Sequence, residues 1–152
     1  RDMMTDTARG FVMPFRTSRR VEFCDTDMAG IVHFSNFFRF MEFAEQGFLR
    51  SLGLSVAWSE GTVRYGFPRV SASCDFTKPV RFEDVLDIDV TVAQIGTKSV
   101  TYRFDFACRG VPVARGQVSA VCCKKGPEGS LESIEIPPTI RTKLQTATEA
   151  RS

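Results

Sequence analysis

One histidine and one tryptophan serve the whole chain of 152 residues, and tyrosine occurs only twice. With His33 alone and no G-x-S-x-G turn, the sequence argues against a Ser-His-Asp triad of the α/β-hydrolase type. No G-x-G-x-x-G follows a strand-like run and no P-loop occurs, so a cradle for a free nucleotide is not indicated. Five cysteines, Cys24, Cys74, Cys108, Cys122 and Cys123, form an odd set without C-x-x-C spacing. That pattern points away from a disulfide framework or a metal site and suits a reducing, cytoplasmic setting. A net charge of only +2, spread along the chain, argues against a nucleic-acid partner. No apolar run approaches the roughly 18 residues of a membrane span. Residues 1–13, with Asp2, Asp6 and Arg9, lack the apolar segment of a signal peptide.

What is present is an ordinary globular composition, 43% hydrophobic and 25% charged, of a size that fits one domain with a real core. Phenylalanine is plentiful, with 14 copies, and implies a Phe-rich core or subunit interface. The strongest periodicity runs over 34–52. There Phe37, Phe40, Met41, Ala44, Phe48, Leu49 and Leu52 recur at three- and four-residue steps, which predicts a long amphipathic helix stopped by Gly53. Ahead of it, 15–23 reads as a strand. After a short helical turn over 55–60, the pattern changes to strands over 66–76, 85–95, 99–109 and 111–124, with a last short one over 131–136. Gly96-Thr97-Lys98 and Arg109-Gly110 are short enough to make antiparallel hairpins, and Pro137-Pro138 ends the sheet. The expected fold is α+β, one long central helix wrapped by a five- to six-stranded antiparallel sheet. We divide the chain into a flexible tail (1–13), one domain (14–137) and a C-terminal tail (138–152) that is a frayed helix or disordered.

The chemistry concentrates where the first strand gives way to the helix, at Asp25-Thr26-Asp27-Met28-Ala29-Gly30. Ser35 is placed to cap the helix through its hydroxyl, so a carboxylate is aimed at a helix N-terminus. Free N–H groups there can hold an oxyanion while a carboxylate attacks or activates water, which makes acyl transfer the natural reaction class. The bland alternative is that the two aspartates only form the turn.

The run Glu22-Phe23-x-Asp25-x-Asp27-x-Ala29-Gly30-Ile31-Val32-x-Phe34-x-Asn36-Phe37-x-Arg39-Phe40-x-Glu42 resembles the signature of the 4-hydroxybenzoyl-CoA thioesterase family of hotdog-fold proteins, including its Tol-Pal-associated acyl-CoA thioesterase branch. The resemblance implies hydrolysis of an acyl- or aroyl-CoA thioester, with Asp27 as nucleophile or general base and backbone N–H groups around His33 and Phe34 as the oxyanion hole. The His33 side chain is a further candidate, although the Tol-Pal branch carries its histidine one position later. Lys98 matches a lysine used for the CoA nucleotide, while the arginines beside it in the family are replaced by Gly96 and Thr97. Arg64 and Arg69, and also Lys78 and Arg81, are other candidates for the CoA phosphates. The helical Glu42 and Glu45 are read as polar or interface residues. No separate cofactor and no metal are implied, since CoA belongs to the substrate, and a homodimer or homotetramer is. Two further readings stay open, a non-catalytic acyl-CoA or acyl-carrier-protein binding module and a dehydratase-type hotdog enzyme.

Overall fold

The computed structural model describes residues 14–150; the expected N-terminal tail, 1–13, lies outside the described residues. Its frame is a five-stranded antiparallel sheet. The strands are β1 (Phe15–Arg20), β4 (Arg69–Phe76), β5 (Val85–Ile95), β6 (Ser99–Cys108) and β7 (Val111–Val121), in the spatial order β1-β5-β6-β7-β4. Helix α1 (Asn36–Ser51) lies across its inner face. This is the hotdog arrangement expected from the sequence, with a second sheet added. That sheet has four strands, β2 (Ala57–Glu60), β3 (Val63–Gly66), β8 (Cys123–Lys125) and β9 (Leu131–Ser133).

Alternation explains the core. Leu86, Ile88 and Val90 of β5 and Val100, Tyr102, Phe104 and Phe106 of β6 all turn inward and are buried, while their neighbours in sequence face the other side. From α1 come Phe37, Phe40, Met41, Ala44, Phe48 and Leu49, at the helical spacing that the sequence displays. Each large side chain buried here is worth about 2 kcal/mol in transfer free energy. Gly116 in β7 permits the closest approach: a Cβ at that position would run into the sulfur of Met41. On the outer face, charges pair across strands, Arg16 with Asp89 at 2.6 Å and Arg115 with Asp105 at 2.7 Å.

Several expectations need correction. The turn read over 55–60 is instead strand β2, paired with β3 through Trp58 and Tyr65, whose rings stack at 5.4 Å. The strand read as 66–76 is broken at Phe67-Pro68, since proline brings no N–H to a ladder, and the strand read as 111–124 is broken at Cys122. Of the two readings of the C-terminal tail, frayed helix or disordered, the structure has the helix, α2 (Pro138–Ala150), and it is docked: it packs on β5 and buries Leu144 and Ala147. Arg141 on that helix donates to the carbonyls of Gly96 and Thr97 at 2.8 and 2.9 Å. The stop at Gly53 is as expected, with φ of 72°.

Candidate active site

Two aspartates two residues apart meet opposite fates. Asp25 is buried at 6% exposure, and its carboxylate accepts the Glu22 N–H at 2.8 Å. Its main-chain carbonyl accepts two donors, the His33 N–H at 2.9 Å and Asn36 Nδ2 at 2.8 Å. Asp27 is half-buried and lines a cavity of about 550 Å³. One of its oxygens accepts the Ala29 N–H at 2.8 Å, and the other accepts no hydrogen bond from the described residues. The turn closes with Gly30 donating to the Asp27 carbonyl at 2.9 Å, and Gly30 at φ 78° occupies a left-handed conformation that a side chain would oppose.

The remaining walls of the cavity are Ile31, Val32, Phe34 and Phe37 from the loop and α1, and 76–80, Phe76-Thr77-Lys78-Pro79-Val80, from the end of β4 and the segment after it. Phe37 anchors the aromatic side, with its ring 5.1 Å from Phe76 and 5.2 Å from Phe106. The surroundings are thus mostly apolar, with one carboxylate, one hydroxyl and one ammonium among the lining residues.

The amides at the start of α1 can be accounted for one by one. Val32 donates to Val80, His33 to Asp25, Asn36 to His33, Phe37 to Phe34 and Phe38 to Ser35. Ser35 makes a long contact, 3.3 Å, to Nδ1 of His33. Phe34 alone in this run has an N–H with no acceptor among the described residues. Ser35 is the residue before α1, but its hydroxyl makes no capping bond. It sits instead 2.8 Å from His33 Nδ1. His33 stacks on the Phe34 ring at 4.6 Å and is not among the residues that line the cavity.

The cations expected to grip phosphates are dispersed. The Lys98 ammonium lies 3.5 Å from Ser133 Oγ, at the β5–β6 turn. Arg64 lines a different cavity, of about 340 Å³, together with Lys125. Arg69 is occupied by an ion pair of 2.6 Å with Glu45, a buried carboxylate in the middle of α1. Burial pushes the Glu45 carboxyl above its ordinary value and outweighs the pull of Arg69 in the other direction. It likewise raises the Tyr102 phenol, with the Glu45 charge adding to the effect. Of the cations weighed from the sequence, Lys78 is the one that shares the cavity with Asp27. Asn36 stood in the recognised motif without a role; its signal was an amide side chain at the first helical position, within reach of the preceding loop.

A long helix wrapped by an antiparallel sheet, with a carboxylate and an open amide at the helix tip beside an apolar cavity, defines a hotdog protein built around its helix start. A model of the Thioesterase-like superfamily matches residues 21–144, and the chain belongs to that superfamily. A protein of Aquifex aeolicus is 31% identical over 114 residues, which take in 75% of this chain and 88% of that one. The 4-hydroxybenzoyl-CoA thioesterase of Pseudomonas sp. strain CBS-3 is 33% identical over 88 residues, 56% of this chain and 62% of its own length. Among solved structures, a 1,4-dihydroxy-2-naphthoyl-CoA thioesterase from Synechocystis superposes with a TM-score of 0.74 at 26% identity, covering 86% of this chain and 95% of that one.

Proposed function

We propose that this chain hydrolyses an acyl- or aroyl-CoA thioester to the free acid and CoA. One observation supports the reading: Asp27 and Phe34 line the same apolar cavity, and among the described residues each keeps an unused valence, a carboxylate oxygen and a main-chain N–H. The substrate carbonyl oxygen lies against the Phe34 N–H, which together with the positive end of α1 stabilises the oxyanion as the carbonyl carbon is attacked. Asp27 either attacks that carbon, giving an acyl anhydride that water then opens, or takes a proton from water as the water attacks. In both routes the C–S bond breaks, the CoA sulfur leaves as thiolate, and the proton from water ends on it. A thiol of pKa roughly 8.5 leaves without a strong acid, so no second catalytic side chain is required.

The aromatic wall of Phe34, Phe37 and Phe76 favours a ring or a medium-length chain as the acyl group. Lys78 is placed to meet an anionic group of the substrate, and Lys98 and Arg64 serve the CoA phosphates from a neighbouring copy. The working form is a homo-oligomer paired along β4, an open sheet edge on which Val70 and Phe76 are exposed.

Thiol release is measured with 4-hydroxybenzoyl-CoA, 1,4-dihydroxy-2-naphthoyl-CoA and hexanoyl-CoA, on the unaltered protein and on Asp27→Asn. Turnover of at least one thioester, largely lost in Asp27→Asn with thioester binding retained, is expected. Equal rates in the two proteins remove the role given to Asp27. Binding of the thioesters with no thiol released by either protein makes the chain a binding module instead.

A further inference from the structure

The Asp25 carbonyl decides which helix-tip amide stays open. It takes the His33 N–H at 2.9 Å, so the amide left for a ligand is that of Phe34. The same oxygen is held a second time by Asn36 Nδ2 at 2.8 Å, from the first residue of α1. Asp25 is fixed at its other end as well, where its buried carboxylate accepts the Glu22 N–H at 2.8 Å. The loop that carries Asp27 is therefore stitched through one oxygen atom to two donors that flank Phe34, the His33 N–H before it and the Asn36 side chain at the start of α1. The loop's other ties reach the run before the tip, through the Asp27 N–H on the Ile31 carbonyl at 2.9 Å and the Thr26–Val32 bridge. Among the described residues, the Ser35 hydroxyl faces His33 and makes no capping bond, and the Asp27 carboxylate bonds within its own turn.

We propose that Asn36 is a positioning residue for thioester hydrolysis: by clamping the Asp25 carbonyl it sets the separation of the Asp27 carboxylate from the Phe34 N–H. It touches neither substrate nor reacting atoms. The inference rests on the hydrolytic reading given above and adds a residue to it. A donor is what the position requires. An alanine leaves the Asp25 oxygen with the His33 N–H alone, and an aspartate turns an acceptor toward that oxygen and repels it. Aspartate also suits the first turn of a helix, where negative charge favours the dipole, so it removes the clamp without weakening the helix.

The test measures kcat, KM and thermal midpoint for Asn36→Asp and Asn36→Ala, with the panel thioester that the unaltered protein turns over fastest. For both variants kcat is expected to fall by roughly 10- to 100-fold, the usual consequence of a misplacement near 1 Å between reacting groups. KM stays within about twofold and Asn36→Asp keeps its thermal midpoint, with Asn36→Asp the slower enzyme of the two. Unchanged kcat in Asn36→Asp overturns the inference. So does a loss in which kcat, KM and thermal midpoint move together in Asn36→Asp, since that marks a residue that only supports folding. If Asn36→Ala does not fold, Asn36→Asp decides alone. Asp27→Asn is assayed beside them: full turnover there removes the role given to Asp27, absence of thiol release by the unaltered protein defeats the hydrolytic reading itself, and loss in Asp27→Asn with normal Asn36 variants defeats only the clamp.

Discussion

Helix α1 has an acidic group near its tip and another in its middle, and the two are used in opposite ways. Asp27 stands before the helix, half-buried in the wall of a cavity that Phe34 and Phe37 share, with one oxygen that accepts no hydrogen bond from the described residues. Glu45 is 1% exposed, with one oxygen on Arg69 and the other without a partner among the described residues, and it lies outside that cavity. By its burial and raised pKa, Glu45 would attract attention first. Access decides otherwise: a carboxylate sealed in the core with an arginine can organise packing but cannot meet a thioester. Strong perturbation and access to the cavity are separate properties in this molecule.

The contrast can be broken most severely at Asp27. Replacement by Asn is expected to reduce kcat on the order of 10³-fold, near 4 kcal/mol in barrier, with little change in thermal stability, as read by thiol release and calorimetry together. At the other site the effects reverse. Arg69→Ala leaves Glu45 buried without its cation and is expected to destabilise the fold by about 2–4 kcal/mol, visible as a lower denaturation midpoint, while kcat per folded molecule holds.

A pH series sharpens the comparison further. Because the folded-state value of Glu45 lies above its ordinary 4.5, the native state holds this proton more tightly than the unfolded chain does. Its contribution to stability is therefore full below 4.5, declines as pH rises toward the raised value, and is level beyond it. Glu45→Gln is expected to remove that decline from denaturation curves taken across the window; an identical slope in both proteins would assign it to another group. The smallest effect is expected at His33, whose ring lies on Phe34 and not in the cavity wall: His33→Gln lowers kcat by less than about tenfold, below what loss of a general acid or base brings.

The elements around the helix were legible in the sequence because each carries its own period. The three- and four-residue steps from Phe37 to Leu49 mark α1, and the inward alternation of Val100, Tyr102, Phe104 and Phe106 marks β6. Misread segments depend on partners distant in the chain. Residues around Trp58 become a strand by pairing with β3 at Tyr65, and β3 is held on its other side by the β8 backbone, far along the chain, which no local pattern announces. Helix α2 shows Ile140, Leu144 and Ala147 on one face, but what they dock on, β5, stands some fifty residues away in sequence. At the site, the Asp25–Asp27 loop and the helix tip were evident from residue types. The division of labour between the aspartates came from the resemblance and not from residue types, and the choice of Phe34 over His33 as the open amide and the Asn36 contact were not legible, because each depends on where one carbonyl points. The charged residues Lys98, Arg64 and Arg69 were drawn from the resemblance and from charge alone, and sequence does not reveal that Arg69 already has a buried partner.

The notch at Gly116 reaches further than packing. Met41 fits into the sheet there as a tooth fits a rack, so α1 is indexed at one point and can neither slide along the strands nor roll over them without lifting off. Whatever holds the rod in register also aims its tip. A bulkier residue at this spot, deep in the sheet and outside the cavity wall, would leave thioesters bound yet misaligned, and the damage would surface as slow turnover rather than weak affinity.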